Sequence, residues 1–142
     1  MSMLRIFDVA GSAVSAQSQR LNVVASNLAN VDTVAGPDGT SYKARQVVFQ
    51  TLMVGAGGAS TPAQASAGVQ VSAITESAEP GRRVRDPAHP NADEEGYVTY
   101  SNVSAVEEMV NMMSASRSYQ NNIEVMNTAR TLLLKTLQIG QG

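Results

Sequence analysis

Residues 104–138 read SAVEEMVNMMSASRSYQNNIEVMNTARTLLLKTLQ, and this stretch decides the fold class because its seam residues are spaced alternately by three and four. Such spacing predicts one long helix with a heptad seam. Ser104 followed by Glu107 predicts a capping box at the helix start, and Gly140 predicts the helix end. At 1.5 Å per residue the helix is about 50 Å long. The predicted seam consists of Ala105, Met109, Met112, Ser116, Tyr119, Ile123, Met126, Arg130, Leu133 and Leu137.

The N-terminal segment repeats this plan and predicts a second helix over residues 3–30. Large residues hold one position of its heptad seam, and mostly small residues hold the other. Because small residues occupy one of the two seam positions, the backbone of another helix can approach closely. At 1.5 Å per residue this helix is about 40 Å long. Its predicted seam consists of Leu4, Phe7, Gly11, Val14, Ser18, Leu21, Ala25 and Leu28.

Between the helices the composition changes to short β-type and turn-forming stretches. Pro37-Asp38-Gly39 predicts a tight turn, and the glycine-rich stretch 55–60 predicts a flexible loop within a variable segment that ends at residue 67. We expect strands, or a strand pair in the first case, in YKARQVVFQTLM (42–53), GVQVSAITES (68–77), GRRVRD (81–86) and GYVTY (96–100).

These patterns predict an α+β fold in which two long terminal helices pack as a coiled-coil hairpin and a small Gly-rich β domain is inserted between them. The expected divisions are an N-terminal helix within 1–31, the inserted β-rich domain within 32–102 and a C-terminal helix within 103–142. Several apolar residues lie off both seams, which favours a subunit that completes its core on assembly. They are Ile6, Val24, Val110, Met113, Leu134 and Ile139.

The composition excludes several classes of function. The 142-residue chain has a net charge of -2 and no basic block, which argues against nucleic-acid binding. It has no cysteine, so it can form neither a disulfide nor a thiolate metal site. No stretch approaches the roughly 20 apolar residues of a membrane span. Residues 1–20 lack the continuous apolar run of a Sec signal, so we expect a protein that stays inside or leaves by another route.

The stretch DPAHPNADEEGYV (86–98) holds His89, the single histidine of the chain, among carboxylates. This stretch has two possible chemical roles. It could bind a metal ion, or it could form a hydrolase site in which Asp86 and Glu94 are the two carboxylates. One histidine is short of the usual zinc ligand set, and the spacing does not fit a calcium loop of the EF-hand type. The prolines indicate an exposed connector instead, with a turn at Gly96. We therefore expect no metal, no cofactor and no catalytic residue here, and Gly96 at positive φ.

Two groups of polar residues have both a local and an intermolecular interpretation. Asn27 and Asn30 can bond nearby backbone and help to end the first helix, or they can contact another subunit directly, and both can hold. Lys43 and Arg45 are typical of the solvated basic edge of a half-buried strand. The arginines of GRRVRD (81–86) favour a solvated or salt-bridged turn, although two of them could meet acidic patches of neighbouring subunits.

Several of these stretches together resemble a known family. ASNLANVDT (25–33) near the end of a heptad-bearing helix is similar to the signature of the axial proteins of the bacterial flagellar rod and hook. The insertion VAGPDGTS (34–41), the stretch DPAHPNADEEGYV (86–98) and the stretch VEEMVNMMSASRSYQNNIEVMNTAR (106–130) make the chain resemble the proximal rod members of that family. The resemblance covers nearly the whole chain.

The resemblance implies a structural subunit that leaves through the flagellar type III apparatus and polymerises in the periplasm. It implies terminal helices in the inner wall of the rod and a middle domain outside. The implied partners are further copies of the chain, proximal and distal rod proteins, the adaptor between rod and MS ring, the MS-ring protein and the export apparatus. The implied subunit-interface residues are Leu4, Phe7, Val14, Leu21, Asn27, Leu28, Asn30, Met109, Met112, Tyr119, Ile123, Met126, Leu133 and Leu137.

Two other classes of function compete with this interpretation. A peptidoglycan hydrolase needs two carboxyl groups at a fixed separation, one of them with a raised pKa, and a proline-rich exposed loop supplies neither. A free coiled-coil adaptor, or a protein associated with type III secretion that does not join the rod, leaves the β-type stretches unexplained. We expect the chain not to be an enzyme.

Overall fold

The structure, a computed structural model, describes residues 3–54 and 66–140. The predicted loop at 55–60 lies outside the described residues, as does the variable segment up to residue 65. The predicted helices and strands are present in the predicted order. The elements are α1 (Met3–Ala29), β1 (Arg45–Val54), β2 (Ser66–Glu76), β3 (Arg83–Arg85), β4 (Tyr97–Thr99) and α2 (Ala105–Gly140).

The chain forms two compact units, and the four longest elements contribute to both. Unit 1 comprises Met1–Gln19, Val48–Ala73 and Ser114–Gly142, and unit 2 comprises Arg20–Val47 and Ile74–Met113. These boundaries cut through both helices and do not follow the three predicted segments 1–31, 32–102 and 103–142. The three-segment division therefore stays a prediction about the placement of the chain in an assembly.

The strands form two separate two-stranded sheets, β1–β2 and β3–β4. In unit 2, β3 and β4 are antiparallel, with Val84 opposite Val98. Val98 is 0% exposed and is the largest fully buried apolar side chain among the residues whose burial the structure describes. An isolated bridge between Val34 and Tyr100 ties the segment after α1 to the residue after β4. The short strands predicted on either side of DPAHPNADEEGYV are thereby confirmed.

The ends of the helices are close to the predicted positions. The N–H of Glu108 donates to the Ser104 carbonyl at 3.0 Å, and the N–H of Glu107 reaches the Ser104 hydroxyl at 3.5 Å. Ser104 therefore caps α2 as expected. The turn at Pro37 is also confirmed, since the N–H of Gly39 donates to the Gly36 carbonyl at 2.9 Å and Gly39 has φ of 77°.

The prediction of a coiled-coil hairpin with one inserted β domain is wrong. There are two small sheets, and the buried residues of the helices are not the predicted seams. Among the described helical residues, the buried ones are Ala10, Ala16, Val24, Asn27, Glu108, Ala115 and Ala129. None of them belongs to a predicted seam. The large apolar residues of the seams are half-buried or, for Leu4, Met109 and Leu137, exposed by 56–67%.

The physical reason is that, apart from Glu108, the buried stripe of α2 is built from small residues. In α2, Glu108, Ala115 and Ala129 lie a multiple of seven residues apart, one position before the predicted seam residues Met109, Ser116 and Arg130. An alanine lets a neighbouring backbone approach closely, and longer side chains then flank the contact. The larger apolar residues therefore remain partly accessible instead of filling holes in a facing helix as in a coiled coil.

Candidate subunit-assembly site

The start of α2 is held in unit 2 by a polar cluster centred on Asn27, whose side chain is 0% exposed. Its amide nitrogen donates to the Arg45 carbonyl at 2.8 Å and to the Glu108 carboxylate at 3.0 Å. Its amide oxygen accepts from the Tyr42 hydroxyl and from the Arg45 N–H, both at 3.0 Å. One side chain thus joins the end of α1, the start of β1 and the first turn of α2.

Glu108 completes this cluster from the helix side. It is 8% exposed, and its carboxylate also accepts from the Asn111 side chain at 3.4 Å. The oxygen of Asn111 in turn accepts from the Arg20 guanidinium at 3.3 Å. A buried carboxylate is costly unless hydrogen bonds satisfy it, so these contacts fix one face of α2 toward α1 within unit 2.

A second set of polar bonds fixes the residues just before α2. The Asn102 side chain accepts from the Ala44 N–H at 2.6 Å and donates to the Glu79 carbonyl at 2.9 Å. Ser101 is 2% exposed and donates its hydroxyl hydrogen to the Val31 carbonyl at 2.7 Å. The first turns of α2 therefore start from a rigid base.

The opposite face of the first turns of α2 is apolar and exposed. Its residues follow the spacing i, i+3, i+4 and i+7, which places them in one stripe on a helix. The members of this stripe are Val106, Met109, Val110 and Met113, exposed by 72%, 56%, 55% and 60%. Leaving one such side chain in water forgoes roughly 1.5–3 kcal/mol, so the stripe favours a partner that covers it. We call these four residues the Met109 stripe.

The apolar character of this outer face ends after Met113. The residues that continue the same face along α2 are polar and exposed, and they are Arg117, Gln120, Asn121, Glu124, Thr128, Thr131 and Lys135. The Met109 stripe is therefore a local patch, directly behind the Glu108 face that holds α2 in place.

The structure distributes the predicted interface residues over several environments. Met109 lies in the stripe, and Leu4 and Leu137 are also exposed. Asn27 is buried within the chain, and its side-chain bonds join residues that are distant in sequence. These bonds are therefore neither between sequence neighbours nor at the surface. The remaining members are half-buried, namely Phe7, Val14, Leu21, Leu28, Asn30, Met112, Tyr119, Ile123, Met126 and Leu133.

Three residues of the stripe were absent from the predicted interface. Val110 and Met113 were singled out as apolar residues off the seam, and Val106 was not singled out. The sequence signal for the stripe is a second three-and-four spacing of apolar residues, which starts at Val106. Asn30 does follow the helix-end interpretation, because it donates to the Ser26 carbonyl at 2.8 Å and accepts from the Thr33 hydroxyl at 3.1 Å.

The stretch DPAHPNADEEGYV is a connector between β3 and β4, as predicted. The N–H of Asp86 donates to the Gly96 carbonyl and the N–H of Asp93 to the Tyr97 carbonyl, at 2.9 and 2.8 Å. The His89 side chain accepts from the Asn91 N–H at 3.1 Å. Within the described residues, no group of three or more His, Asp or Glu side chains is arranged to hold a metal ion.

Gly96 closes this connector in a conformation that a β-branched residue resists. Its φ is 81°, and an added Cβ would lie 3.1 Å from Cγ of Pro87. We predict that Gly96→Val lowers the free energy of unfolding by about 1–3 kcal/mol. Urea unfolding of the purified chain measures this, with Glu94→Ala on the same connector as the control, expected within about 0.5 kcal/mol of the parent. Equal stability of the two variants would contradict the assignment of a strained turn.

Asp93 organises the same connector through its carboxylate. The backbone N–H of Tyr97 donates to it at 2.8 Å, and this bond is the main cause that lowers the pKa of Asp93 below its ordinary value of 3.8, against a smaller opposing effect of burial. The Arg83 guanidinium at 2.7 Å and the Glu95 N–H lower that pKa further.

The lowered pKa predicts a connector that loosens only in strong acid. Because the folded pKa lies below the unfolded one, the carboxylate stabilises the fold above the unfolded value and loses this effect as pH falls through the folded pKa. NMR titration should show the Glu95 and Tyr97 amide shifts changing with a midpoint below 3.8. The change should disappear in Asp93→Asn. A midpoint at or above 3.8 in the parent chain would refute the role of Asp93.

The basic residues of the middle segment have partners within the chain. Arg83 pairs with Asp93 at 2.7 Å and with Glu95 at 3.6 Å, and Arg82 lies 3.8 Å from Asp32. Arg45 pairs with Glu76 at 3.3 Å. The salt-bridged interpretation of GRRVRD is thus confirmed for Arg82 and Arg83. Arg45, which was predicted on a solvated basic strand edge, also forms an ion pair. A contact of these arginines with a neighbouring subunit stays a prediction.

Comparison with known proteins defines first a class and then a family. Residues 7–37 match the family model described as flagella basal body rod protein, and residues 94–139 match the model described as the C-terminal region of flagellar basal body rod FlgEFG proteins. Neither described helix is long and apolar enough to cross a membrane.

Proteins similar over their full length are flagellar basal-body rod proteins FlgC. The protein of Salmonella typhimurium is 56% identical, that of Escherichia coli O157:H7 is 55% identical and that of Bacillus subtilis is 36% identical. In each case the match covers 99% of this chain and 100% of the relative. The chain belongs to the FlgC family of flagellar basal-body rod proteins. This membership confirms the expected role as a structural subunit of the basal-body rod.

Proposed function

We propose that the chain polymerises in the periplasm as part of the proximal rod and transmits torque from the MS ring to the distal rod and hook. The observation that carries this proposal is the Met109 stripe, a local apolar patch on a helix whose other face is fixed by the buried Asn27–Glu108 contact. A rigid element with an uncovered apolar face suits a load-bearing contact between subunits.

The proposed surroundings follow from membership in a rod family. The neighbours are further copies of the chain, proximal and distal rod proteins, the adaptor between rod and MS ring, and the MS-ring protein. Export through the flagellar type III apparatus precedes assembly. Residues 1–31 and 103–142 lie in the inner wall of the rod, and 32–102 lie outside it.

The proposed subunit interface contains the Met109 stripe together with the half-buried and exposed members of the earlier set. Asn27 acts within the chain by positioning α2. Half-buried residues such as Phe7 and Tyr119 keep enough accessible surface for a neighbour to cover. Part of the apolar surface of α1 and α2 is still accessible in the single chain, and this supports assembly as the step that completes the core.

We propose further that the chain has no enzymatic activity. The candidate carboxylates Asp86 and Glu94 belong to a connector that is held by its own backbone bonds. Asp86 is half-buried, and its backbone N–H donates to the Gly96 carbonyl. Glu94 is exposed. This arrangement supports a structural role for the connector.

The test of this function is a charge placed on the stripe. Val110→Asp should leave the isolated chain folded, because Val110 is 55% exposed in it. It should block rod assembly and swimming, because burying an unpaired carboxylate costs several kcal/mol. Soft-agar motility and isolation of basal bodies measure the result, and circular dichroism checks the fold.

Gln120→Asp is the matched control, since it places the same charge on the polar part of the same outer face of α2. Swimming should be retained in this variant. Normal rods in Val110→Asp would argue against an assembly role for the stripe.

A further inference from the structure

The turn after α1 contains the one Asp-Gly pair of the chain, Asp38-Gly39. Both residues are exposed. Such a pair can rearrange without an enzyme, because glycine has no side chain to shield the backbone nitrogen that attacks the aspartate carboxyl group. The product is isoaspartate, in which the main chain runs through the side-chain carbons. The pair is therefore a candidate site of spontaneous covalent modification.

The rearrangement of this pair needs only water and protons. The nitrogen of Gly39 forms a bond to Cγ of Asp38, and one carboxylate oxygen leaves as water after taking up the amide proton and one proton from solvent. The cyclic imide is then hydrolysed. Opening of the bond between the nitrogen and Cγ restores aspartate. Opening of the bond between the nitrogen and the main-chain carbonyl carbon leaves isoaspartate.

The folded turn holds both reacting groups in other hydrogen bonds. The Thr40 hydroxyl donates to one carboxylate oxygen of Asp38 at 2.7 Å, and the Thr40 N–H donates to the other at 3.3 Å. The N–H of Gly39 donates to the Gly36 carbonyl at 2.9 Å, although this hydrogen has to leave the nitrogen in the reaction. The rearrangement therefore has to break bonds that the turn itself makes.

Thr40 also keeps the Asp38 carboxyl group in its less reactive form. The bond from the Thr40 hydroxyl is the main cause that lowers the pKa of Asp38 below its ordinary value of 3.8. The bond from the Thr40 N–H lowers this pKa further, against an opposing effect of desolvation. A carboxylate is a poorer target for a nitrogen nucleophile than the neutral acid, because its departing oxygen has to take up one more proton.

We propose that Thr40 protects Asp38-Gly39 from conversion to isoaspartate while the turn is folded. The inference does not depend on the rod assembly. Isoaspartate would lengthen the main chain by one carbon atom at Asp38, so the 3.2 Å bond that closes the turn at the Thr40 carbonyl would lose its geometry. The turn leads into Tyr42, whose hydroxyl donates to Asn27, so a changed turn would also disturb the cluster that holds α2.

Incubation of the purified full chain at neutral pH tests this protection. The water is labelled with a heavy oxygen isotope, which marks each imide that forms and hydrolyses, and peptide mapping by mass spectrometry measures isoaspartate at Asp38. Thr40→Val removes the hydroxyl bond at nearly constant size. It should raise the rate of isoaspartate formation roughly three- to tenfold, the factor that corresponds to the net loss of one hydrogen bond. Thr40→Ser keeps a hydroxyl and should stay within about twofold of the parent rate.

Thr33→Val is the matched control, since the Thr33 hydroxyl is also exposed and bonds a side chain, that of Asn30, at 3.1 Å. Its rate should equal that of the parent, and circular dichroism checks that each variant is folded. The parent chain unfolded in urea should form isoaspartate at least as fast as folded Thr40→Val.

The outcomes that would overturn the inference differ from one comparison to the next. Folded and urea-unfolded parent chains that react at the same rate would overturn it without any variant. A folded Thr40→Val variant as slow as the parent would do the same. Equal acceleration in Thr40→Ser or in Thr33→Val would show that the hydroxyl bond to Asp38 is not the protecting contact.

Discussion

Asn27→Ala should lower the free energy of unfolding of the isolated chain by about 3 kcal/mol or more. The change removes four hydrogen bonds at once and leaves the Arg45 N–H and one oxygen of the Glu108 carboxylate without this partner. A buried donor or carboxylate left unpaired costs its full desolvation free energy, which exceeds the value of an ordinary surface bond. Urea unfolding, followed by circular dichroism, measures the difference.

Asn30→Ala is the matched control in the same sequence motif. Its side chain bonds Ser26 and Thr33, both within four residues, so we expect a loss of about 1 kcal/mol or less. Asn27→Asp should be at least as damaging as Asn27→Ala at neutral pH, because it places a second carboxylate against Glu108. Equal and small effects of all three changes would show that the Asn27 cluster does not hold α2.

Gly81→Ala should be the second strongly destabilising change, with an expected loss of about 2–4 kcal/mol. An added Cβ would overlap the Tyr100 carbonyl oxygen and lie 2.8 Å from a methyl carbon of Thr99. The carbonyl belongs to backbone that is anchored by the Tyr100 N–H bond to Arg82 at 2.8 Å, so it cannot move aside cheaply.

Gly11→Ala is the same chemical change, but we expect it to have the opposite effect on the free energy of unfolding. An added Cβ at Gly11, inside α1, would have no neighbour within 4 Å among the described residues outside its own helix turns. Alanine is favoured over glycine in a helix interior by roughly 0.5–1 kcal/mol, so this variant should be slightly stabilised. Similar effects of the two substitutions in urea unfolding would refute the close approach at Gly81.

The secondary structure could be predicted because each element has a local signal. The heptad spacing marks both helices, Ser104 marks the start of α2, and the alternating stretches between glycines mark the strands. The turn at Gly39 and the positive φ of Gly96 follow from the same local chemistry. These features depend on neighbours in sequence, so the sequence contains the information directly.

The orientation of the helices could not be predicted in the same way. In α2, the stripe through Glu108 and Ala115 and the stripe through Met109 and Ser116 have the same spacing and differ by one residue. Hydrophobicity favours the second stripe, but the small residue Ala115 and the satisfied carboxylate of Glu108 make the first stripe the buried one. That choice depends on a bond between Asn27 and Glu108, 81 positions apart.

Three of the four residues of the candidate site were absent from the predicted interface for the same reason. Once Glu108 faces inward, the residues on the other side of the helix must face outward, which exposes Val106 and Val110. The sequence shows apolar residues at these positions but not which of two overlapping stripes the fold covers. Likewise, Pro80-Gly81 indicates a turn, while the closeness of the Tyr100 carbonyl exists only in the folded chain.

A density map of the isolated basal body with this chain traced in it is the decisive measurement of whether the chain builds the rod through the Met109 stripe. We expect copies of the chain in the proximal rod, with the Met109 stripe of each copy covered by a neighbouring subunit. Burial of Val106 and Val110 should be visible as side-chain density enclosed by a neighbouring helix. A traced chain whose stripe faces the solvent, or a rod that contains no copy of this chain, would contradict the proposed assembly role of the stripe.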